Sequence, residues 1–203
     1  GNDRSDDAAV LDLGDGRGLV STVDFFMPIV DDPFDFGRIA AANALSDVYA
    51  MGGQPVMALA ILGFPVDKLS PSVAATILDG ARAICEEAGI PLAGGHTIDA
   101  PEPLFGLSVN GLVSRDHLRT NGGARPGDRI YLTKPLGTGI VAAALKRDKA
   151  DPAHVRAAVD SMTRLNTLGS RLGKEPAVHA LTDVTGFGLL GHLAEVCESS
   201  GVS

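Results

Sequence analysis

The chain has 203 residues, of which 45% are hydrophobic and 21% are charged, so its composition is that of a globular protein and excludes a disordered one. Its formal net charge is −8 and its Lys and Arg residues are scattered, which argues against a nucleic-acid partner and means that a bound nucleotide would need neutralising cations. The two cysteines, Cys85 and Cys197, exclude a disulfide scaffold and a CxxC metal site, so we expect a cytoplasmic protein.

Residues 1–115 predict strands and helices in the order ββαβαβ. Strands are expected at residues 8–13, 19–23, 56–62 and 104–113, and helices at 34–51 and 70–88. Ser70 is the expected N-cap of the second helix, with Pro71 at its first helical position. Residues 48–66 carry no charge, but the turn at residues 52–55 leaves too short an apolar run for a membrane span. This order indicates an α/β unit whose helices pack on one sheet.

Residues 121–128 form the best domain boundary, because they combine turn dipeptides with a lack of apolar periodicity. We therefore expect an N-terminal domain at residues 1–120 and a C-terminal domain at residues 121–203. The second domain is predicted to contain a strand at 129–133, helices at 139–146, 152–172 and 189–199, and a short extended segment at 178–181. The chain starts without Met and stops where another strand is expected, so we expect a fragment cut at both ends.

Two glycine-rich segments match the fingerprint of dinucleotide-binding proteins: Gly137-Thr-Gly139-Ile-Val-Ala142 and Gly186-Phe-Gly188-Leu-Leu-Gly191. Each is expected to follow a strand and to begin a helix, where backbone amides approach a pyrophosphate. Tight turns in a glycine-rich protein explain the same pattern, and two matches in one chain weaken each of them. A dinucleotide-binding oxidoreductase is therefore the weaker functional hypothesis, and the lack of a GxxxxGK[ST] segment excludes a P-loop.

Asp47 lies in an alanine-rich helix that is otherwise almost free of charge. Such a helix can pack closely on most of its sides, so the carboxylate risks burial, and a buried carboxylate needs a cation or hydrogen bonds. Asn43 lies one turn earlier on the same face. The alternative interpretation is an Asp on a polar stripe that faces solvent.

Three further aspartates are candidate ligands of a cation. Asp6 and Asp7 come directly before the first strand, and Asp183 lies at a glycine-rich turn before the last helix. Strand ends and such turns are where α/β proteins bind ligands, and carboxylates with phosphate oxygens suit Mg²⁺. Ordinary turn or N-cap roles are the alternative, and the spacing does not show that these residues meet.

Residues 94–103 are predicted to form a loop of small residues after a short apolar strand. The backbone amides of Gly94 and Gly95, with side-chain donors on His96 and Thr97, suit phosphate oxygens. A structural connection in which His96 is a hydrogen-bonded structural histidine is the alternative.

Six segments together resemble the selenophosphate synthetase family and occur in that family's order along nearly the whole chain. Two are specific to it, Asp24-Phe-Phe-Met-Pro28 and Gly94-Gly-His-Thr-Ile-Asp99, whereas Thr133-Lys-Pro-Leu-Gly-Thr-Gly139 is shared with aminoimidazole ribonucleotide synthetase. The segments span residues 6–10, 22–41, 43–53, 92–99, 132–139 and 182–192.

The resemblance implies an α+β fold of two domains, like that of aminoimidazole ribonucleotide synthetase, with the N-terminal domain closing a β-barrel across a homodimer. It implies that Mg²⁺ binds at Asp7, Asp47 and Asp183. It also implies that ATP contacts the residues at the matching positions, which are Arg4, Ser5, Asp6, Asp24, Asp47, Gly95, His96 and Thr97. The implied reaction transfers the γ-phosphoryl group of ATP to selenide and then hydrolyses ADP, releasing selenophosphate, AMP and phosphate.

The family's glycine-rich N-terminal loop, with a Cys or selenocysteine and a nearby Lys, has no counterpart here. Neither Cys85 nor Cys197 matches it, so no catalytic nucleophile is assigned, and we expect this chain by itself to make no selenophosphate. Another ATP-binding enzyme related to aminoimidazole ribonucleotide synthetase is the alternative to a selenide, water dikinase.

Overall fold

A mixed sheet forms the N-terminal half of the structure, a computed structural model that describes residues 6–203. Its strands are β1 (Ala9–Asp12), β2 (Arg17–Phe26), β3 (Gln54–Phe64), β4 (Leu92–Asp99) and β5 (Leu104–Ser114). They lie in the order β1-β2-β5-β3-β4, and every neighbouring pair is antiparallel except β3 and β4. The predicted order of elements in this half is confirmed, with one strand more than was expected.

Two helices, α1 (Pro33–Ala50) and α2 (Pro71–Glu87), cover one face of the sheet. Asp32 caps α1 and Ser70 caps α2, each by accepting a hydrogen bond from a backbone amide of the first turn. Pro71 occupies the start of α2, as the sequence predicts.

The two helices cross with their backbones almost in contact. A Cβ on Gly37 would lie 1.9 Å from the carbonyl oxygen of Ile77, and one on Gly80 would lie 2.1 Å from that of Phe34. Only glycine permits this approach at either position. The crossing holds α1 against the sheet, where it contributes much of the buried core: Ile39, Ala40, Ala41, Ala44, Leu45 and Val48.

The C-terminal half of the described chain is helical, with α3 (Thr138–Leu145), α4 (Pro152–Thr163), α5 (Leu168–Leu172) and α6 (Gly188–Ser200). Helices α4 and α5 pack on α1, and a Cβ on Gly169 would lie 2.2 Å from the carbonyl oxygen of Tyr49. The two halves are therefore in close contact. Among residues 6–203, no helix is both long enough and apolar enough to cross a membrane.

Two predicted elements of this half are wrong. Residues 129–133 form no strand in the structure, and Tyr131 is 77% exposed, because the described chain provides no neighbouring strand for pairing there. The single helix expected at residues 152–172 is divided into α4 and α5. The break comes at Arg164, whose extended backbone leaves its carbonyl oxygen to accept a hydrogen bond from Lys134 Nζ.

The loop predicted at residues 94–103 is also wrong over its first part, which belongs to β4. Gly94 and Gly95 have φ angles of 145° and 154°, and a Cβ on Gly95 would lie 2.1 Å from the Ala60 carbonyl oxygen. The pairing of β3 with β4 is irregular at this point. Gly94 and Gly95 predict a loop by their residue type, but in the structure they let β4 approach β3 at the irregular point of the pairing.

Candidate functional site

An acidic cluster forms where the face of β2 meets α1. Thr22 and Asp24 point toward α1 from alternate positions of the strand, and Asn43 and Asp47 point back from one face of the helix. The Thr22 hydroxyl donates to Asp47 Oδ2 at 2.5 Å, and Asn43 Nδ2 donates to Asp24 Oδ2 at 2.7 Å. Asp47 is only 7% exposed, so the predicted burial of this carboxylate is confirmed.

The turn before α6 brings Asp183 to the same cluster. Asp183 is hydrogen-bonded to the Ser46 side chain, which in turn accepts a hydrogen bond from Asn166 Nδ2 at 2.7 Å. Ser46 directly precedes Asp47 on α1, so this chain of hydrogen bonds ties the C-terminal turn to the helix that carries Asp47. Ser46, Asn166 and Asp183 come from three separate segments of the sequence.

Asp7 is held to the same turn by Thr182, whose hydroxyl donates to Asp7 Oδ1 at 2.9 Å. The other carboxylate oxygen, Oδ2, is buried and has no hydrogen-bond partner among the described residues. A buried carboxylate oxygen that accepts no hydrogen bond is costly unless a cation binds it. Asp7 therefore has an open position for a cationic ligand.

The electrostatics of the cluster show an excess of negative charge. Burial, followed by the charge of Asp183, raises the pKa of Asp7 to about 7. Burial raises the pKa of Asp47 to about 8, with Asp183 acting in the same direction and the Thr22 hydrogen bond opposing it. Burial also raises the pKa values of Asp183 and Asp24, against the hydrogen bonds from Ser46 and Asn43. Asp183 raises the pKa of both Asp7 and Asp47, and Asp7 raises that of Asp47, so the three carboxylates lie within electrostatic reach of one another.

The residues of the acidic cluster suit Mg²⁺, which binds with the help of water and substrate phosphates. They suit less well a metal whose ligands all come from the protein. Within residues 6–203, no three or more His, Cys, Asp or Glu side chains form a ready coordination shell. Mg²⁺ does not require one, because it keeps several waters and commonly binds through one or two carboxylates together with the phosphates of a substrate. The unpaired oxygen of Asp7 is what such an ion would satisfy, and the raised pKa of Asp47 shows that its ionised form lacks a neutralising partner.

Not all the residues predicted to contact a nucleotide lie at this cluster. Gly95, His96 and Thr97 lie on the exposed edge strand β4, which β5 and β3 separate from β2 by about 14 Å. Asp6 is nearby and accepts a hydrogen bond from the Asn121 amide at 3.3 Å. Arg4 and Ser5 lie outside the described residues.

Four polar side chains that hold the acidic cluster together are not among the residues predicted from the sequence to form the site: Thr22, Ser46, Asn166 and Thr182. Two of them had a local signal. Thr22 lies two residues before Asp24 on a strand, hence on the same face, and Ser46 is an isolated hydroxyl in an alanine-rich helix. Asn166 had no such signal, because its role depends on the break between α4 and α5.

Neither glycine fingerprint has the structural context that a dinucleotide site requires. Residues 129–136 and 178–185 form no strand in the described chain, so Gly137 and Gly186 do not follow one as predicted. Gly137 and Gly188 have φ angles of 107° and 68° and serve at the turns before α3 and α6. The glycine pattern is therefore explained by turn geometry.

Comparison with protein families gives two matches that together cover most of the chain. The family described as AIR synthase related protein, N-terminal domain, matches residues 5–113, and the corresponding C-terminal domain matches residues 125–203.

The curated relatives include two enzymes named selenide, water dikinase. The one from Aeromonas hydrophila subsp. hydrophila is 61% identical over 203 residues, which are 100% of this chain and 59% of that protein. The one from Yersinia pseudotuberculosis serotype I is 59% identical over 202 residues, covering 100% of this chain and 58% of the relative. The chain thus spans about three fifths of the length of the curated relatives it matches.

Solved structures share the fold at lower identity. Thiamine monophosphate kinase from Aquifex aeolicus superposes with a TM-score of 0.81 at 21% identity, over 96% of this chain and 67% of the other. The hydrogenase maturation protein HypE in complex with ATP gives a TM-score of 0.74 at 22% identity, over 96% of this chain and 59% of the other. At these identities the likeness establishes the fold alone.

Proposed function

This chain belongs to the AIR synthase related protein family, and from that premise we propose that it forms the Mg²⁺- and ATP-binding part of a selenide, water dikinase. In this reaction selenium attacks the γ-phosphorus of ATP, the bond to the β,γ-bridging oxygen breaks, and selenophosphate forms. Hydrolysis of the remaining ADP yields AMP and phosphate.

The observation that carries the proposal is the convergence of Asp7, Asp47 and Asp183 in one partly buried cluster with too much negative charge. ATP is itself an anion and would be repelled by the ionised form of this cluster. Only a cation between the carboxylates and the phosphates makes the two compatible. The identity of about 60% to enzymes named selenide, water dikinase supports selenide as the acceptor.

Within this proposal each residue has a defined task. Asp7, Asp47 and Asp183 hold Mg²⁺, which when bound neutralises phosphate charge and orients the phosphoryl group for transfer. Thr22, Ser46 and Thr182 orient these carboxylates through their hydrogen bonds. Asp24, fixed by Asn43, lies beside the site and is available to contact the nucleotide.

A homodimer is the second part of the proposal. On the sheet face opposite α1, Val23, Phe25 and Leu59 are 51%, 52% and 36% exposed, although they are large apolar side chains in regular strands. Val23 on β2 and Leu59 on β3 are both paired with Ser108 of the intervening strand β5, so they lie in one row across the sheet. A second copy packed on this face would bury them and close the sheet into a barrel. Gly95, His96 and Thr97 would then be available to contact the nucleotide from the second chain, since within one chain β4 lies about 14 Å from β2.

Equilibrium binding tests the nucleotide part of the proposal. Calorimetric titration of the chain with AMPPCP, a non-hydrolysable ATP analogue, should show binding that requires Mg²⁺. NAD titrated under the same conditions should show none. Binding of AMPPCP that is independent of Mg²⁺, or tighter binding of NAD, would contradict the proposal.

A chimera tests the selenium part. The matching segment of the Aeromonas hydrophila relative is replaced by this chain, and the chimera is expressed in bacteria that cannot make selenophosphate. Incorporation of radioactive selenium into protein should be restored by the chimera and abolished by Asp47→Asn within it. Failure of a soluble, folded chimera to restore incorporation would count against selenide as the acceptor.

A further inference from the structure

His192 is a buried histidine that the proposed reaction does not use. It lies in the first turns of α6 and is 7% exposed, with its ring packed against Phe187 at 5.5 Å between centroids. Imidazole in such a site needs partners for both ring nitrogens, because an unpaired buried nitrogen is costly. Both partners are present.

The hydrogen bonds of His192 define its tautomer. The backbone N–H of Thr185 donates to Nε2 at 3.1 Å, and the Thr185 hydroxyl lies 3.2 Å from the same nitrogen. Because Nε2 accepts from an amide, its lone pair is not protonated, and the ring hydrogen is on Nδ1. Glu195, three residues further along α6, accepts that hydrogen through Oε2 at 2.9 Å. Glu195 therefore fixes the ring so that Nε2 faces the turn.

The turn that His192 holds is the one that carries Asp183. Its beginning is attached by Thr182 to Asp7, and its end is attached by Thr185 to His192. Helix α6 has no side-chain hydrogen bond at its N-cap, so the helix start does not itself secure the turn. Asp183 lies between these two attachment points in the sequence.

We propose that His192 is a positioning residue, which with Glu195 holds the Thr185 amide and so keeps Asp183 in place to bind the metal of a metal–nucleotide complex. The inference rests on the proposed function of the acidic cluster. Misplacement of a ligand by about an ångström weakens a preorganised site strongly, and hydrogen-bond partners behind metal ligands commonly contribute about tenfold or more to metal affinity.

Two substitutions of His192 separate positioning from packing. In His192→Gln the side-chain amide oxygen reaches the place of Nε2 and can still accept from the Thr185 amide. In His192→Asn the side chain ends near the place of Nδ1, so the acceptor for Thr185 is lost although a polar side chain remains. The measurement is calorimetric affinity of the 203-residue chain for Mg²⁺ in the presence of AMPPCP, with thermal unfolding recorded for each variant.

We expect His192→Asn to weaken Mg²⁺ binding by about tenfold and His192→Gln by less than about threefold. Hydrogen exchange at the Thr185 amide should accelerate in His192→Asn and stay slow in His192→Gln. Unchanged Mg²⁺ affinity in His192→Asn, or equal weakening in both variants at equal unfolding temperatures, would overturn the inference. If the wild-type chain shows no Mg²⁺-dependent binding, the proposed function fails and the inference fails with it.

A second pair of variants keeps the inference testable if His192→Asn does not fold. Glu195→Gln removes a charge but keeps an oxygen that can accept the Nδ1 hydrogen, whereas Glu195→Leu removes the acceptor as well. Glu195→Leu should weaken Mg²⁺ binding severalfold relative to Glu195→Gln. Equal affinities in these two variants would show that orientation of the ring does not matter and would overturn the inference.

Discussion

Thr182 and Asp7 are 175 residues apart in the chain and are joined by a hydrogen bond of 2.9 Å from the Thr182 hydroxyl to Asp7 Oδ1. The bond attaches the turn that carries Asp183 to the residue that precedes the first strand. It satisfies one oxygen of Asp7 and leaves Oδ2 buried without a partner among the described residues. The start of the described chain and the turn before α6 thus meet at one acidic cluster.

Asp47→Asn should lower the affinity for AMPPCP in the presence of Mg²⁺ by at least about tenfold, because it removes a charged ligand and keeps the size of the side chain. Calorimetry gives the affinity, and circular dichroism shows whether the fold is intact. The matched control is Asp79→Asn, on the exposed surface of α2, where Asp79 forms an ion pair with Arg82. An Asp47→Asn variant with wild-type affinity would remove Asp47 from the site.

The metal-free chain should lose stability as the pH rises. The pKa of Asp47 is raised from 3.8 to about 8 in the folded state, so the folded chain binds a proton that the unfolded chain releases. The resulting stabilisation is fully present below about pH 4 and is lost as the pH rises to about 8. The free energy of unfolding should therefore fall by up to about 3 kcal/mol between about pH 5.5 and 8.

Urea unfolding without metal, repeated across this pH range, measures the effect. In Asp47→Asn the free energy of unfolding should fall less steeply with pH than in the wild type. Added Mg²⁺ should raise the stability of the wild-type chain at about pH 8, because it binds only the folded state. Equal slopes for wild type and variant would contradict the assignment of the effect to Asp47.

Phe25→Asp should convert the proposed dimer to a monomer, because it places a charge on the exposed apolar face of the sheet. Light scattering at micromolar concentration gives the mass. Val66→Asp is the control, since Val66 is 59% exposed but lies in the connection after β3, outside the sheet. A wild-type chain that is already monomeric under these conditions would count against the dimer.

Gly95→Ala should destabilise the chain by about 2 kcal/mol or more, because its Cβ would lie 2.1 Å from the Ala60 carbonyl oxygen and its φ of 154° disfavours a side chain. Gly139→Ala in α3 is the control, with no heavy atom within 4 Å of the added Cβ. It should be neutral or stabilising by up to about 1 kcal/mol. Denaturant unfolding compares the two, and equal stabilities would mean that β4 does not approach β3 so closely.

Local patterns predicted the elements whose ends and faces are set by neighbouring residues. Ser70 and Pro71 predicted the start of α2, and the lack of other charges around Asp47 predicted its burial. The strand prediction at residues 129–133 failed, because a strand needs a pairing partner and local composition does not supply one. For the same reason β4 is not predicted by the sequence. Its glycines suggest a loop, but they allow close pairing with β3.

The sequence by itself determined the order of motifs, the helix caps and the residue types suited to Mg²⁺ and phosphate, since each depends on neighbours a few positions away. The tertiary structure alone decided that Asp183 lies close enough to Asp7 and Asp47 to raise the pKa values of both. It also decided that Gly95, His96 and Thr97 do not join them within one chain. The physical reason is that spacing along a chain governs local geometry, whereas contacts between distant segments depend on how helices and sheet pack.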